Sequence, residues 1–578
     1  MKDCFSIIEH SVDFCVVGGG LAGMFAAISA ARHGAKVLLM QDRPMLGGNA
    51  SSEIRMWVCG AHGENNRETG LLEEIAMDNM YRNPDKNYSI WDGILYEKAK
   101  FQKGLELLLN CTCMDAEMNG NTVVSVTGWQ MSTQQKHVVK AKYFADCSGD
   151  SVLAPLTGAE YRVGREARDE FDEDIAPAEA DRKTMGNSCL IQARQEDKPS
   201  TFIAPTWANH YTKEDLLPYR LPDMSCETEN YWYMELGGTK DTIADAEEIR
   251  DELLKVAYGI WDFIKNDPEN KEKNAAWRLD WMGILPGKRE SRRYVGDHIM
   301  NQNEVRAGGI FPDVVAYGGW TMDDHDPRGI ETKDAPNIFH PAPSPFGIPY
   351  RCLYSKNISN LFFAGRNISV THTAMSASRV MATCSMLGQA AGTAAAVAVK
   401  YNLSPRGVYE QQLSTLQDWL QDDDAYLPRI PRKVSKLGNL PERFAPLRNG
   451  WDRPIRENDN GVTVDFGENV TFTFEDATKV SELRIVFDSD LNRAHYEHEM
   501  GRNMICNRPL GLPEAFVPPT MVKAFRITDE NGKVLFEESN NHSRLVKVPL
   551  DVEVKALSFI PVSTWGEEKA HIFSLEVQ

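Results

Sequence analysis

Apolar residues follow two patterns along this chain, and the first is a set of short uninterrupted runs. Residues 14–17 form one such run, which passes through a glycine-rich turn into the Ala-rich stretch 24–31. That order predicts a buried strand, a tight turn and a helix. Residues 35–40, apolar except for Lys36, form a second run, and residues 361–363 form a third. Buried strands that alternate with helices predict an α/β fold with a Rossmann-like core.

The second pattern begins near residue 461, where apolar and polar positions alternate strictly. It predicts seven short strands, at residues 462–466, 470–474, 483–487, 534–536, 546–548, 557–559 and 572–575. Short strands separated by turns predict a C-terminal all-β sandwich. Glycan binding and a structural or dimerising role are both open for this module.

The region between the glycine-rich segments has a different character. It is acidic and rich in Trp, and residues 244–264 read as a helix. We therefore predict a nucleotide-binding domain that is split by an insertion. The predicted parts are 1–160 (first part), 161–285 (inserted substrate or cap domain), 286–400 (return segment), 401–456 (helix and linker) and 457–578 (sandwich).

The turn after the first strand has the spacing of a dinucleotide site. Gly18 would turn the strand end, Gly20 would let a pyrophosphate approach the backbone, and Gly23 would let helix and strand pack closely. The phosphates would then lie at the helix N-terminus, beside Leu21 and Ala22. An ordinary loop between strand and helix is the alternative, but the strand-turn-helix context favours the nucleotide site.

The second strand ends where a ribose-binding acid is expected, about 20 residues further on. Gln41 and Asp42 stand there, so the acid is either displaced by one position or replaced by a glutamine that can also bond ribose hydroxyls. A second glycine turn with small polar residues follows. Its cofactor-binding candidates are Arg43, Gly47, Gly48, Asn49, Ala50 and Ser51.

Several further motifs accompany these turns. They are Asp146-Cys147-Ser148-Gly149-Asp150, Arg289-Glu290-Ser291-Arg292-Arg293, Gly318-Gly319-Trp320-x-x-Asp323-x-His325, and Ala364-Gly365-Arg366 with Thr371-His372, Arg379-Val380-Met381 and residues 388–393 after it. Taken together, residues 10–400 resemble the FAD-dependent oxidoreductase family related to glutathione-reductase-like and fumarate-reductase-type flavoproteins. The resemblance implies FAD as the cofactor, and it leaves the substrate open.

The resemblance also implies where FAD is held outside the two glycine turns. The cofactor-binding candidates outside the two glycine turns are Cys113, Ser148, Gly149, Gly365, Arg366, Arg379, Val380 and Met381. The backbone amides near Val380 and Met381 would face the flavin edge where negative charge gathers on reduction. Many flavoproteins have an aspartate after the final Ala-Gly, whereas this chain has Arg366, which suggests a phosphate contact.

Three of the 13 histidines are candidates for proton transfer. His372 ranks first because it directly precedes the flavin-facing helix, whereas His62 and His325 are ranked lower as residues that line the active site. His62 is also a candidate for covalent attachment of the flavin. For each of them a hydrogen-bonding role in the core or at the surface is the alternative.

Composition narrows the possible partners and the possible location of the protein. A formal charge of -20 argues against nucleic acid or an anionic membrane as the main partner. Eleven scattered cysteines form no disulfide framework, and no metal site is predicted. Residues 1–11 carry acids and a histidine instead of an export signal, and the apolar stretch 388–399 is too short for a membrane span. A cytoplasmic location is the resulting expectation.

Three different functions are compatible with the sequence. The first is oxidation of a hydroxyl of a carbohydrate or glycoside by hydride transfer from its carbon to FAD, which the family's association with bacterial glycan use favours. The second is a fumarate-reductase-like reduction of an activated double bond in a small carboxylic acid, with Arg289, Arg292 or Arg293 as clamp or proton donor. The third is a glycan-binding protein with a structural flavin. The electron acceptor and the oligomeric state, including a homo-oligomer, stay open.

Overall fold

The structure is a computed structural model that describes residues 5–225, 230–496 and 501–578. The chain forms two compact units. The larger comprises Met1–Ala61, Lys86–Leu416 and His498–Pro513, and the smaller comprises His62–Asp85, Gln417–Glu497 and Glu514–Gln578. The five predicted parts are drawn at other boundaries than these two units, and they stay a prediction.

The strands are numbered in chain order. They are β1 (Ile7–Val17), β2 (Val37–Met40), β3 (Leu105–Leu108), β4 (Cys111–Asn119), β5 (Thr122–Gln130), β6 (Gln135–Asp146), β7 (Tyr161–Val163), β8 (Asn187–Ser188), β9 (Ile191–Gln195), β10 (Glu235–Leu236), β11 (Trp277–Met282), β12 (Gly287–Lys288), β13 (Arg292–Tyr294), β14 (Val314–Gly318), β15 (Met322–His325), β16 (Asn337–His340), β17 (Phe346–Pro349), β18 (Leu361–Phe363), β19 (Val462–Val464), β20 (Val470–Phe487), β21 (Asn507–Arg508), β22 (Val522–Asp529), β23 (Val534–Glu538), β24 (Leu545–Thr564) and β25 (Ala570–Val577).

The α-helices are numbered in the same way. They are α1 (Leu21–Arg32), α2 (Leu71–Arg82), α3 (Tyr88–Lys100), α4 (Leu153–Thr157), α5 (Arg168–Phe171), α6 (Lys213–Leu216), α7 (Ala246–Asn266), α8 (Gln302–Arg306), α9 (His372–Ser378), α10 (Met381–Tyr401) and α11 (Pro405–Asp422).

The larger unit is built on a seven-stranded sheet. Its order is β3-β2-β1-β6-β5-β4, and β18 also pairs with β6. The pairs that join β3, β2, β1, β6 and β18 are parallel, whereas β4, β5 and β6 pair antiparallel. The carboxyl ends of β1, β2, β6 and β18 therefore meet at one edge, where open α/β sheets bind their ligands.

Helices α1 and α10 pack against each other through small residues. A Cβ on Gly388 would lie 2.0 Å from the Ala22 carbonyl oxygen, and a Cβ on Gly392 would lie 2.1 Å from the Ala26 carbonyl oxygen. The Ser29 and Thr393 hydroxyl groups are hydrogen-bonded at 2.7 Å. Since neither glycine position has room for a side chain, α10 can approach the backbone of α1 this closely only with glycine there.

The inserted region of the larger unit carries small sheets and the helix α7. Strand β8 pairs with β10 and β12, and β9 pairs antiparallel with β11 and parallel with β21. The amphipathic helix α7 buries one face, including Leu253, Ile260 and Trp261, in a core that it shares with β9 and β11. The predicted helix at 244–264 is confirmed with a shift of two residues.

The smaller unit contains one six-stranded antiparallel sheet, in the order β19-β25-β20-β24-β22-β23. The sequence predicts separate strands at 470–474 and 483–487, and again at 546–548 and 557–559. Each pair lies in one long strand, β20 or β24, whose pairing shifts register between Thr473 and Thr478 and between Val480 and Glu482. Bulges let a long strand bend without ending, which the period-two pattern does not reveal.

The predicted fold class, an α/β core with a C-terminal β domain, is confirmed. Among the described residues, α10 is the helix long and apolar enough to cross a bilayer by length and composition. Within the fold, 94% of its apolar window is buried, as expected for a core helix.

Candidate functional site

A large cavity opens at the carboxyl edge of the sheet. Its volume is about 660 Å³, within the range of small-molecule and cofactor sites. Of the residues predicted to bind the cofactor or act in catalysis, those that line the cavity are Gly18, Gly20, Leu21, Ala22, Gln41, Asp42, Arg43, Gly47, Gly48, Asn49, Cys113, Ser148, Gly149, His325, Gly365, Arg366, Arg379, Val380 and Met381. The fold therefore brings together residues from both ends of the split domain.

The two glycine turns lie side by side at one end of the cavity. Gly47 N–H donates to the Gly19 carbonyl at 2.9 Å, and Gly20 bridges to Gly47. A Cβ on Gly48 would lie 3.1 Å from the Gly20 Cα, and Gly18 has a φ of +101° that favours glycine. The missing side chains leave the start of α1 open to the cavity.

The side chain of Gln41, for which the sequence predicts a contact with ribose, is hydrogen-bonded to backbone atoms. Its Oε1 accepts from Gly19 N–H at 2.6 Å, and its Nε2 donates to the Met45 carbonyl at 3.1 Å. Both polar ends of the side chain therefore hold the glycine turns in place. Asp42, which also lines the cavity, is exposed and lies 3.5 Å from Arg43 Nε.

Asp150 gathers three donors at the cavity wall. Its Oδ1 accepts from Arg366 (2.9 Å) and Ser291 (2.8 Å), and its Oδ2 accepts from Lys288 (2.7 Å). Burial alone would raise the pKa of Asp150, but the charges of Arg366 and Lys288 lower it below its usual range. Arg366 thus binds a carboxylate, while its buried Nε has no hydrogen-bond partner among the described residues.

The N-terminus of α10 also faces the cavity. Val380 and Met381 line it, and Ala382 N–H is already bonded to the Cys59 carbonyl at 2.9 Å. No side chain caps this helix, since Val380 is the N-cap residue. An uncapped helix start presents N–H donors and a positive dipole end, which suits an electron-rich ligand group.

A charged cluster forms another part of the wall. His325 lies between two carboxylates, with Nδ1 2.7 Å from Glu235 Oε2 and Nε2 3.2 Å from Asp323 Oδ2. Arg379 lies 3.1 Å from Asp323, and Arg289 lies 3.3 Å from Glu235. Each arginine of the cluster is therefore paired with an acid.

The cluster keeps both acids ionised. Burial alone would raise the pKa of Glu235, but Arg289 and His325 lower it. Burial acts in the same direction on Asp323, where His325 and then Arg379 lower the pKa far below its usual range. Both carboxylates are therefore charged at neutral pH, and either of them can accept a hydrogen bond from the ring nitrogen that carries the hydrogen.

His372 is paired in the same way but does not line the cavity. Its Nδ1 lies 2.9 Å from Glu290 Oε2, its Nε2 lies 3.2 Å from Asp324 Oδ1, and its backbone N–H donates to Glu166 at 2.8 Å. Burial opposes the charged ring, yet the two carboxylates raise the pKa of His372 to about 10. The ring is thus an imidazolium at neutral pH, which has no free nitrogen to accept a proton.

Other predicted residues also lie away from the cavity wall. His62 belongs to the smaller unit and is exposed. Gly23 packs against the Gly18 carbonyl oxygen, only 1.8 Å from where a Cβ would stand. The Ala50 carbonyl accepts from Trp91 Nε1, and Ser51 Oγ donates to the Gly48 carbonyl. These contacts give Gly23, Ala50 and Ser51 the function of shaping the turns.

Several cavity residues were not selected from the sequence. They are the aromatic residues Trp57, Trp232, Trp320 and Phe339 and the polar residues Asp150, Lys288 and Asp323. Asp150 and Asp323 stand inside motifs that the sequence shows, so their motifs were the available signal. Trp57, Trp232 and Phe339 lie in no glycine motif, and only the fold brings them to the wall.

The cavity fits a dinucleotide such as FAD. A glycine cradle, two helix starts and a paired arginine lie along one cavity, and a Cβ at Gly48 would narrow it. Helix N-termini are the standard partner of phosphate groups. The residues that would hold FAD are thus those of both glycine turns, Ser148, Gly149 and the start of α10.

Known proteins resemble this chain at several levels. Over 42 residues, 7% of each chain, it is 58% identical to "Fumarate reductase (cytochrome)" of Shewanella frigidimarina. The match thus spans only 7% of the length of that curated relative.

Two solved structures are similar at lower identity. A geranylgeranyl bacteriochlorophyll reductase-like protein from Thermoplasma acidophilum is 13% identical, with 72% of this chain and 83% of that one covered and a TM-score of 0.33. The glycerol-3-phosphate dehydrogenase from Bacillus halodurans complexed with FAD is 14% identical, with 33% and 44% covered and a TM-score of 0.20.

The family described as "FAD dependent oxidoreductase" matches residues 13–420. That range holds more than half of the 578 residues and every cavity-lining group named above. An enzyme of this kind has a small-molecule substrate and an electron acceptor. The chain belongs to the family of FAD-dependent oxidoreductases.

Proposed function

We propose that this enzyme oxidises a hydroxyl group of a carbohydrate or glycoside, with FAD held by the two glycine turns, Ser148, Gly149 and the start of α10. One observation carries the proposal: the Asp323–His325 pair lines the cavity together with Trp57, Trp232, Trp320 and Phe339. Aromatic rings suit the C–H faces of a sugar ring, and the charged pair suits its hydroxyl groups.

FAD supplies the hydride acceptor when it is bound. The chain's own residues handle the proton that leaves the hydroxyl group. A proton received at His325 gives each ring nitrogen a hydrogen to donate, one to Glu235 and one to Asp323. Because both acids are ionised, they stabilise the cationic ring that results. The pair would therefore act as the general base.

The arginines favour this reaction over reduction of a dicarboxylate. Arg289 is paired with Glu235, and Arg293 is buried against Glu166 at 3.0 Å. Arg292 donates to the Asp150 carbonyl at 3.3 Å and lies over the Tyr161 ring. The charges of Arg289 and Arg293 are already compensated by acids, so these two side chains attract a substrate carboxylate less strongly, and binding there would disrupt an existing pair.

A substrate panel tests the proposal. The FAD-loaded protein is mixed anaerobically with sugars, glycosides and small organic acids, and the flavin absorption band is followed. Sugars or glycosides should bleach the band. If none does, while fumarate-like acids reoxidise the photoreduced protein, the reductase alternative replaces the proposal.

Variants assign the proton step. Asp323→Asn should slow bleaching strongly without releasing FAD. His571→Gln is a matched control, because His571 also lies between two carboxylates, Asp488 (2.9 Å) and Asp459 (3.0 Å), but belongs to the smaller unit. Equal rates in both variants would exclude Asp323 from the proton step.

A further inference from the structure

Residues 501–513 belong to the larger unit, although they lie outside the family match, which ends at residue 420. The segment adds strand β21 to the inserted region, where Asn507 pairs with Ala193 in parallel register. Leu510 N–H donates to Gln195 Oε1 at 3.0 Å. Residues 503–507 are buried, so the segment is an integral part of the fold of this unit.

The start of the segment contacts a residue of the cavity wall. The Lys86 ammonium group donates to the Arg502 carbonyl at 2.8 Å. The Arg502 guanidinium carbon lies 5.8 Å from the centre of the Trp57 ring, within cation–π range. Trp57 and Cys59 line the cavity, whereas Arg502 does not. Burial raises the pKa of the Cys59 thiol to about 11, against the opposing charge of Arg502.

We propose that Arg502 is a positioning residue that fixes the Trp57 ring on the cavity wall, so that the segment 501–513 strengthens binding of the sugar or glycoside through this one side chain. This inference rests on the proposed function, in which the cavity takes a hydroxyl-bearing substrate. A ring that is already held in place costs less conformational entropy when the substrate binds. Arg502 therefore acts on substrate affinity and not on the proton transfer at Asp323 and His325.

Kinetics with Arg502→Met and Trp57→Phe provide the first test, with the sugar that best bleaches the flavin. Arg502→Met should raise KM about tenfold, in line with a partly desolvated cation–π contact, and leave the maximal rate and FAD content unchanged. In the Trp57→Phe background the Arg502 substitution should add less than in the wild type, because a phenyl ring attracts a cation more weakly than an indole does, and Arg502→Lys should restore part of the affinity. Arg526→Met is the control, since Arg526 is exposed in the smaller unit and paired with Glu537.

A second readout does not depend on turnover. In protein labelled with 5-fluorotryptophan, the ¹⁹F resonance lost in Trp57→Phe identifies Trp57. Arg502→Met should shift that resonance, and Arg526→Met should not. An unmoved resonance overturns the role of Arg502. An unchanged KM, or a maximal rate and FAD content that fall together, overturns it as well. A shifted resonance in a protein that no sugar reduces supports the Arg502–Trp57 contact and overturns the substrate class instead.

Discussion

His325 and His372 have nearly the same surroundings and very different positions. Each is 4% exposed and lies between two carboxylates. His325 lines the cavity, whereas His372 does not. Strand β15 explains the difference, because alternate side chains of a strand point to opposite faces. Asp323 and His325 share the cavity face, and Asp324 points away from it, toward His372. Both rings are thus paired with acids, but only a ring that lines the cavity can exchange a proton with a substrate.

The largest expected effect comes from the cavity-facing ring. His325→Gln should lower the rate of FAD reduction by substrate about 10²–10⁴-fold, the usual contribution of a general base. His372→Gln should keep the rate of the folded, FAD-loaded protein within a few-fold of wild type. Stopped-flow absorbance measures both rates. The comparison fails if the two variants lose activity equally.

The buried ring should matter more for stability. His372→Gln removes the charge between Glu290 and Asp324, and breaking a buried ion pair typically costs about 3–5 kcal/mol. The thermal unfolding midpoint should therefore fall. His571→Gln, in the smaller unit, serves as the reference for losing a histidine between two acids. If the unfolding midpoint of His372→Gln is unchanged, the pairing of His372 with Glu290 and Asp324 makes no net contribution to stability.

The pH dependence of stability sharpens the same contrast. The pKa of His372 is raised from 6.5 to about 10, so the charged ring contributes stability that is fully present below pH 6.5 and is lost as the pH rises through about 10. Between those values the wild-type midpoint should fall more steeply than that of His372→Gln. Parallel curves for the two proteins would contradict this source of stability.

The smallest expected effect concerns how His325 is held. The Trp232 ring meets His325 edge-on, with ring centres 5.2 Å apart, and such pairs contribute about 0.5–1.5 kcal/mol. Trp232→Phe should lower the rate of FAD reduction about fivefold, because a smaller ring holds the imidazole less firmly. A loss as large as that of His325→Gln would mean that Trp232 takes part in the proton step itself.

The sequence was most informative where backbone geometry restricts residue choice. The glycine turns at Gly18–Gly23 and Gly47–Gly48 could be placed because a side chain there would collide with the neighbouring turn or strand. The hydrogen bond between Gln41 and Gly19 could not be predicted, since tertiary packing brings the two residues together. The sequence ranked His372 first because it precedes a helix. Which side chains line the cavity depends instead on the face of β15 to which each of them points. The contact between Trp57 and Arg502 could not be predicted because the two residues are far apart in sequence.

The contact between α1 and α10 also has a consequence for how the protein is made. The face of α1 that α10 covers is apolar and completely buried in the finished fold. Its covering helix starts at Met381, about 350 residues after α1 ends at Arg32. At a synthesis rate of about 5–20 residues per second, that face stays uncovered on the ribosome for tens of seconds. The cofactor domain can therefore close only after α10 has been synthesised, which requires about 400 residues of the chain.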